Sequence, residues 1–563
     1  MDLTDRILST DNEGREYKSS CAHVKRSLSA KDPVFIVLLS AAILFLLISR
    51  IITVTHNMDL HQDESAFYES ANSLMRFLSG RENSYSEVKE YPEGAIVLQL
   101  PFHIAASLFR HATGIDLSLR LRGRIASILY FVFGAVLGSL LEYRFIGKNK
   151  SSVLAYFLIL VFSVMHIEQS RYGTGDPISF FLMMAILYLT AIGVEKSKKK
   201  RWLPWLCAGF LCGLLCAVKY PLLFWAVIPI TVAWNAERGA DYRRGLIPAL
   251  IACAVPLGFL FASPKVAVDP AYIIRVCFRE LNSYSGSDYS GVGSPLSHLV
   301  SVTLYAFFYA GFPFAPIFAA LAIKEGSRFG KKDSPISFLF NRLLPCLIIL
   351  FFVYNLFVRN LAMRTYYPFF FLVDLYVAAY LGKQSGRKTK TILCILTFIF
   401  LARGIYFIAA LTEKTGAKNL RASIVQATDD SWQKTTFLNP GTFIYYHIGP
   451  SIAHSIEPES KRLTDPEFED SSRLALGPGE LLITGSIERF FAGHWEDDLF
   501  PVGNSEASTL NARWTDFKRI NRSCFVGSAY PSRYYYLFGY WLKGTSGSYF
   551  EFPTNYVYYR SAY

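Results

Sequence analysis

The stretch "PVFIVLLSAAILFLLISRIITV", Pro33–Val54, runs directly into "THNMDLHQDESAFYESA", Thr55–Ala71. The first part carries one ionic side chain, Arg50, and is long enough to cross the hydrocarbon of a bilayer. The second at once presents His56, Asp59, His61, Asp63 and Glu64. A chain that leaves lipid and immediately displays carboxylates and imidazoles puts polar chemistry at a membrane boundary. The apolar run follows some thirty polar residues and lacks a small-residue cleavage site. It therefore reads as a retained anchor, not as a signal peptide.

The rest of the chain extends this reading. Of its 563 residues, 52% are hydrophobic, 16% aromatic and only 18% charged, an apolar excess that points to lipid. About eleven runs qualify as spans, with cores near 34–53, 122–141, 151–167, 177–194, 203–218, 221–234, 246–262, 298–322, 338–356, 366–381 and 390–411. The sixth is short and broken by proline. The net charge is +13, and its placement is informative. The clusters "REYKSSCAHVKR", "YRFIGKNK", "EKSKKKRW", "ERGADYRRG", "KEGSRFGKK" and "GKQSGRKTK" all fall on one side of an eleven-span chain. The positive-inside rule makes that side cytoplasmic, and basic clusters so placed are topology signals, not nucleic-acid sites. The division is a cytoplasmic tail at 1–33, a membrane domain at 34–412 and an extracytoplasmic domain at 413–563.

The same parity classifies "AIVLQLPFHIAASLFRH", Ala95–His111. Counting it as a span would move the later basic loops outside. Gln99, His103, Ser107 and Arg110 recur every three or four positions, so the segment is expected to lie in the interface plane with one wet face. The outer segments are then 54–121, 168–176, 219–221, 263–297, 357–365 and 413–563. They place "EQSRYGTGDP", "KYP" and "VRNLAMRTYYP" at the outer mouths of different spans. "NSYSGSDYSGVGSP", Asn282–Pro295 within the 263–297 loop, reads as a flexible segment whose Tyr284 and Tyr289 could cover a sugar; a plain connector is the alternative. The region after 413 has turn pairs and β-favouring runs such as "YFEFPTNYVYY", which suggests an α/β or mainly β domain. Cys277 and Cys524 are the two cysteines expected outside, where a bridge between them is one option.

These residues carry a resemblance. "HQDESAFYESANSLM", "EYPEG", "SRYGTGDPISFF", "VKYPLL" and "RTYYPFF" occur in that order, all on the expected outer face. Together they resemble the GT-C glycosyltransferases, in particular the branch of protein O-mannosyltransferases and the lipid A aminoarabinose transferase. The resemblance covers roughly the first 410 residues. It departs at Lys89, since related enzymes often have Lys directly before the Pro of "EYPEG"; the tail after 413 matches no family. It implies an inverting transferase that moves one sugar from a polyprenyl-phosphate donor to an extracytoplasmic hydroxyl on a lipid, glycan or protein. It also implies a multi-pass membrane protein, by expectation of a bacterial inner membrane, with its site on the outer face.

The residue chemistry fits that reaction. A hydroxyl needs a base as it attacks, and a departing phosphate needs fixed cations. Asp63 is the candidate base, with Glu64 and Asp176 beside it; helix capping is the alternative for Asp63 and Asp176. Lys219, Arg364, Arg359 and Arg171 are candidates for the phosphate, or else anchors at headgroup level. Tyr68, Tyr91, Glu93, Tyr172 and Tyr366 are candidate substrate contacts. No cofactor is required. His56, His61 and His103 with Asp63 or Glu64 would be the only set for a divalent metal, and their spacing matches no zinc signature. "GTGDP" lacks the Lys-Ser/Thr end of a nucleotide loop. Two alternatives are a flippase of lipid-linked sugars and a ligase using a diphosphate lipid. Against the first, the spans are nearly free of carboxylates, with Asp374 the clearest exception.

Overall fold

The computed structural model describes residues 33–56, 62–81, 93–195, 202–237, 243–275, 278, 303, 306–307, 311–329, 334–357, 367–384 and 387–412, and five strands between 434 and 559. Among the described residues, six helical stretches are long and apolar enough to cross a membrane: Phe35–Val54, Leu119–Arg144, Gly175–Glu195, Gly245–Ala262, Pro335–Val353 and Thr389–Ala409. Each coincides with an expected span. Lys150–Phe162, Trp202–Val218 and Tyr220–Ala236 are apolar but shorter. Of the expected span at 298–322, residues 303, 306–307 and 311–322 are described, and a helix begins at Ala315 and runs to Phe329.

The chain opens with α1 (Pro33–His56), α2 (Gln62–Leu78), α3 (Gly94–Thr113) and α4 (Leu119–Arg144). The expected span 151–167 is not one helix. It divides at Ser163 into α5 (Lys150–Phe162) and α6 (Val164–Ser170). Ser163 takes an extended conformation, which leaves carbonyls at the end of α5 without helical partners. The Arg50 guanidinium of α1 fills that need, donating from Nη2 to the carbonyls of Leu160 (2.9 Å) and Val161 (3.2 Å). Next come α7 (Gly175–Glu195) and α8 (Trp202–Val218). The proline-broken sixth segment is a 3-10 turn, Tyr220–Ala226, leading into α9 (Val227–Ala236).

The remaining helices are α10 (Arg243–Ala262), α11 (Pro264–Val268), α12 (Ala315–Phe329), α13 (Pro335–Phe338), α14 (Leu344–Phe357), α15 (Tyr367–Lys383) and α16 (Arg387–Thr412). A π-helical turn, Leu339–Leu343, joins α13 to α14. The Tyr376 hydroxyl of α15 donates to the Phe340 carbonyl within that turn. The bundle packs α4 on α7, α7 on α8, α8 on α10, and α15 on α5 and α12. The α8–α10 crossing is close enough to require glycine. A Cβ on Gly213 would lie 2.0 Å from the Val255 carbonyl oxygen, and one on Gly258 2.0 Å from that of Phe210.

The ends of α4, α7 and α15 meet at one side of the bundle. Arg144 pairs with Glu195 at 2.5 Å, and Lys383 Nζ reaches the Ile146 carbonyl at 3.5 Å. The starts of α4, α7 and α15 therefore share the opposite end.

The polar stripe expected on α3 is wet at one end only, at Arg110, which is exposed, with Ser107 half-buried. Gln99 and His103 are fully buried, while Ile104, Leu108 and Phe109 are exposed. The helix turns Gln99 and His103 into the protein and its apolar stripe outward, the arrangement suited to lipid contact.

The C-terminal strands are β1 (Lys434–Leu438), β2 (Lys461–Leu463), β3 (Glu480–Gly485), β4 (Phe525–Ala529) and β5 (Asn555–Tyr559). They form one mixed sheet of order β2-β1-β3-β5-β4. The pairs β1–β2 and β1–β3 are parallel, and β3–β5 and β4–β5 antiparallel. Parallel neighbours need crossover connections.

A candidate active site where the helix ends converge

The corner between α6 and α7 carries the sequence "RYGTGDP". The Thr174 amide donates to the Tyr172 carbonyl at 2.8 Å, which closes a tight turn. Gln99 Nε2 of α3 donates to the Gly173 carbonyl at 3.1 Å. Small residues let neighbouring elements reach this corner. A Cβ on Gly94 would lie 2.4 Å from the Ala217 carbonyl carbon, so the start of α3 rests on the end of α8. A methyl group on Gly123 would touch Gln99 Oε1 (3.4 Å), Tyr68 Cβ (3.6 Å) and Gly173 Cα (3.7 Å), which brings α2 and α4 to the same place.

Cations concentrate here. Arg171 is fully buried; its guanidinium lies 4.4 Å from the centre of the Tyr172 ring, and Nη2 donates to the Tyr172 hydroxyl. Arg124, buried at the start of α4, lies 5.7 Å from the same ring. One electron-rich phenol thus faces two guanidinium groups. Arg50, also fully buried, donates from Nε to Ser170 Oγ at 2.7 Å, one residue before Arg171. Lys219, at the end of α8, forms an ion pair with Asp176 in the first turn of α7. Four cationic side chains, Arg50, Arg124, Arg171 and Lys219, thus lie close to one corner, a grouping of the kind that can hold an anion.

Five sequence candidates therefore come together: Tyr68, Arg171, Tyr172, Asp176 and Lys219. Asp176 and Lys219, expected in separate roles, are partners. Asp176 lies inside the first turn of α7, so its carboxylate answers Lys219 instead of capping from outside. Glu93 faces elsewhere: its Oε2 accepts from the Lys265 amide at 3.0 Å, satisfying the start of α11. Asp63 and Glu64 stand in the first turn of α2, one and two residues after its start, with Tyr68 one turn beyond Glu64. The side chains of Asp63, Glu64 and His56 lie outside the description, as do His61, Tyr91, Cys277, Tyr284, Tyr289, Arg359, Arg364, Tyr366 and Cys524.

Several participants were not identified from the sequence. Arg50 and Asp374 had a visible signal, since each is an ionic residue inside an apolar run. Arg124, Gln99 and His166 had none. Lys265 is the further cation near Glu93. Its ammonium lies 4.8 Å from the centre of the Tyr272 ring, and burial, with Arg275 adding and Asp269 opposing, holds it below the usual lysine range. His103 is pushed down to about 4 by burial and by Arg122, so its imidazole is neutral at ordinary pH. Among the described residues, no three His, Cys, Asp or Glu side chains gather as a metal site.

The model of the dolichyl-phosphate-mannose-protein mannosyltransferase family matches residues 121–247, the block that holds Arg124, Arg171, Asp176 and Lys219. No curated protein matches the chain in sequence. Among solved structures, ArnT from Cupriavidus metallidurans, bound to undecaprenyl phosphate, aligns with a TM-score of 0.51 at 12% identity, over 80% of this chain and 92% of that one. The apo oligosaccharyltransferase of Archaeoglobus fulgidus aligns with a TM-score of 0.47 at 12% identity, over 82% and 70% of the two chains. The fold is that of the GT-C membrane enzymes, as the sequence resemblance implied. Family match and fold together indicate a glycosyltransferase that uses a lipid-linked sugar.

Proposed function

We propose that this chain is an inverting glycosyltransferase that moves a monosaccharide from a polyprenyl phosphate to a hydroxyl outside the cytoplasm. The observation that carries the reading is the gathering of buried guanidinium groups at the helix ends, Arg50, Arg124 and Arg171, beside Lys219 and its partner Asp176. A polyprenyl-phosphate sugar leaves a phosphate that gains charge as the glycosidic bond breaks, and preorganised cations favour that change. Its lipid tail needs a site at a membrane boundary, and the corner is formed at the ends of apolar helices, which supports that reading. Arg171 and Lys219 are the phosphate contacts in this reading, with Arg359 and Arg364, in the sequence before α15, as further candidates. Asp63 removes the proton from the acceptor hydroxyl as that oxygen attacks the face opposite the phosphate. Asp176 sets the position of Lys219, and Tyr68 and Tyr172 form walls for the sugar.

Flippase activity is the weaker reading. The carboxylate deepest in the spans, Asp374, is engaged by His166 at 2.6 Å and is not presented to a passing lipid. The test is Asp63→Asn in the purified full chain with a radiolabelled polyprenyl-phosphate hexose. Transfer should fall by about two orders of magnitude or more while donor binding persists. Unchanged transfer would remove Asp63 as the base. Lipid movement across vesicles without transfer by the wild type would favour the flippase.

A further inference from the structure

Asp374 and His166 form a pair that the reaction outlined above does not use. Both are buried, His166 in α6 just after the break at Ser163 and Asp374 in the middle of α15. His166 Nε2 lies 2.6 Å from Asp374 Oδ2, and Nδ1 lies 3.3 Å from the Tyr367 hydroxyl. Tyr367 and Asp374 are seven residues apart on α15, two helical turns, so both project from one face and one imidazole spans them. The ring is held flat on Phe371, with centroids 5.3 Å apart and planes at 8°, and is flanked by Phe131 and Phe180. Facing Tyr367 electrostatically are Asp176 and Arg50 of the candidate site, together with Asp374 and Tyr156.

The chemistry of the pair is directional. A carboxylate at Nε2 keeps the ring proton there, which leaves the Nδ1 lone pair to receive the Tyr367 hydroxyl proton. The phenol oxygen then presents lone pairs away from His166. Packing alone does not ask for this arrangement, because an apolar trio would fill the space without desolvating a carboxylate inside a membrane protein. The position matters as well. α6 leads into the Arg171–Asp176 corner, and Tyr367 directly follows the segment with Arg364 and Tyr366.

We propose that Asp374 and His166 are positioning residues that act through Tyr367. They tie the first turn of α15 to the α6–α7 corner and fix the phenol oxygen, so that Tyr367 and the "RYGTGDP" segment keep one spacing. The proposal rests on the glycosyltransferase reading.

The test uses the full chain in nanodiscs. It measures single-turnover transfer from a polyprenyl-phosphate hexose, binding of undecaprenyl phosphate, and the melting temperature. Tyr367→Phe and Asp374→Asn should each slow transfer about tenfold, the scale of one lost hydrogen bond to a charged or polarised group. The double variant should be no slower than the slower single variant, because Asp374 then has nothing left to act through. His166→Gln serves in place of Asp374→Asn if that variant does not fold. Losses that multiply in the double variant overturn the proposal. So does transfer at the wild-type rate, or loss of folded protein in all of these variants, which would make the trio structural only. A wild type that neither binds undecaprenyl phosphate nor transfers sugar overturns the glycosyltransferase reading and this proposal with it. Wild-type transfer with multiplying losses overturns this proposal alone.

Discussion

At the scale of single residues, the Asp176–Lys219 pair sets the sharpest expectation. Lys219→Ala strands a buried carboxylate and, in the proposed reading, removes a phosphate contact. Affinity for undecaprenyl phosphate should fall about tenfold, and the melting temperature should drop because an unpaired buried charge is strongly destabilising. Adding Asp176→Asn should recover the melting temperature but not the affinity. Recovery of both would mean that Lys219 contributes structure and no phosphate contact. His103 gives a pH expectation. Its pKa is about 4 in the folded chain against an ordinary 6.5, so the unfolded chain takes up a proton first as the solution is acidified. The neutral imidazole contributes its full stability above about pH 6.5, and that contribution is lost as pH falls toward 4. Melting curves across this window should show the wild type losing several degrees more than His103→Gln, on the order of 5 °C. Parallel acid limbs would place His103 in contact with water.

At the scale of elements, the α8–α10 crossing is the most restrictive contact. Gly213→Val puts a side chain where the Val255 carbonyl already lies, and neither backbone can retreat without moving a whole helix. The cost is about 3 kcal/mol or more, enough to remove folded protein from detergent extracts assayed by size exclusion. Gly245, also in α10, faces open space, so Gly245→Ala should be tolerated. Equal behaviour of the two variants would contradict the close crossing. The break between α5 and α6 follows the same logic in reverse. There a gap in the helix ladder is filled by Arg50 from another helix, so Ser163 can bend the chain and aim α6 at the site corner.

For the whole molecule, topology is the decisive expectation. If the basic clusters mark the cytoplasmic side, an accessible tag at Ser197 should report the cytoplasm and one at Gly544 the outside. A cytoplasmic signal from Gly544 would move the sheet of β1–β5 to the cytoplasmic side and change the span parity. The site would then face a different pool of acceptors. The family match at residues 121–247 lies wholly within the membrane part.

The sequence alone determined that this is a helical, multi-pass membrane chain. Hydropathy and charge act residue by residue along the chain, so a run such as Pro33–Val54 reveals its solvent without knowledge of its neighbours. Only the tertiary structure decided who meets whom. Asp176 and Lys219 are separated by a full pair of spans, and nothing in either segment names the other. Arg50 looked like a lone charge in an anchor, and its role appears only when the carbonyls of Leu160 and Val161 are seen to lack partners. α3 shows the physical reason most plainly. Its periodicity established that one face is polar, but periodicity does not distinguish water from a polar protein interior. In a bilayer the apolar face belongs to lipid, so Gln99 and His103 turned inward to the corner where the helices end.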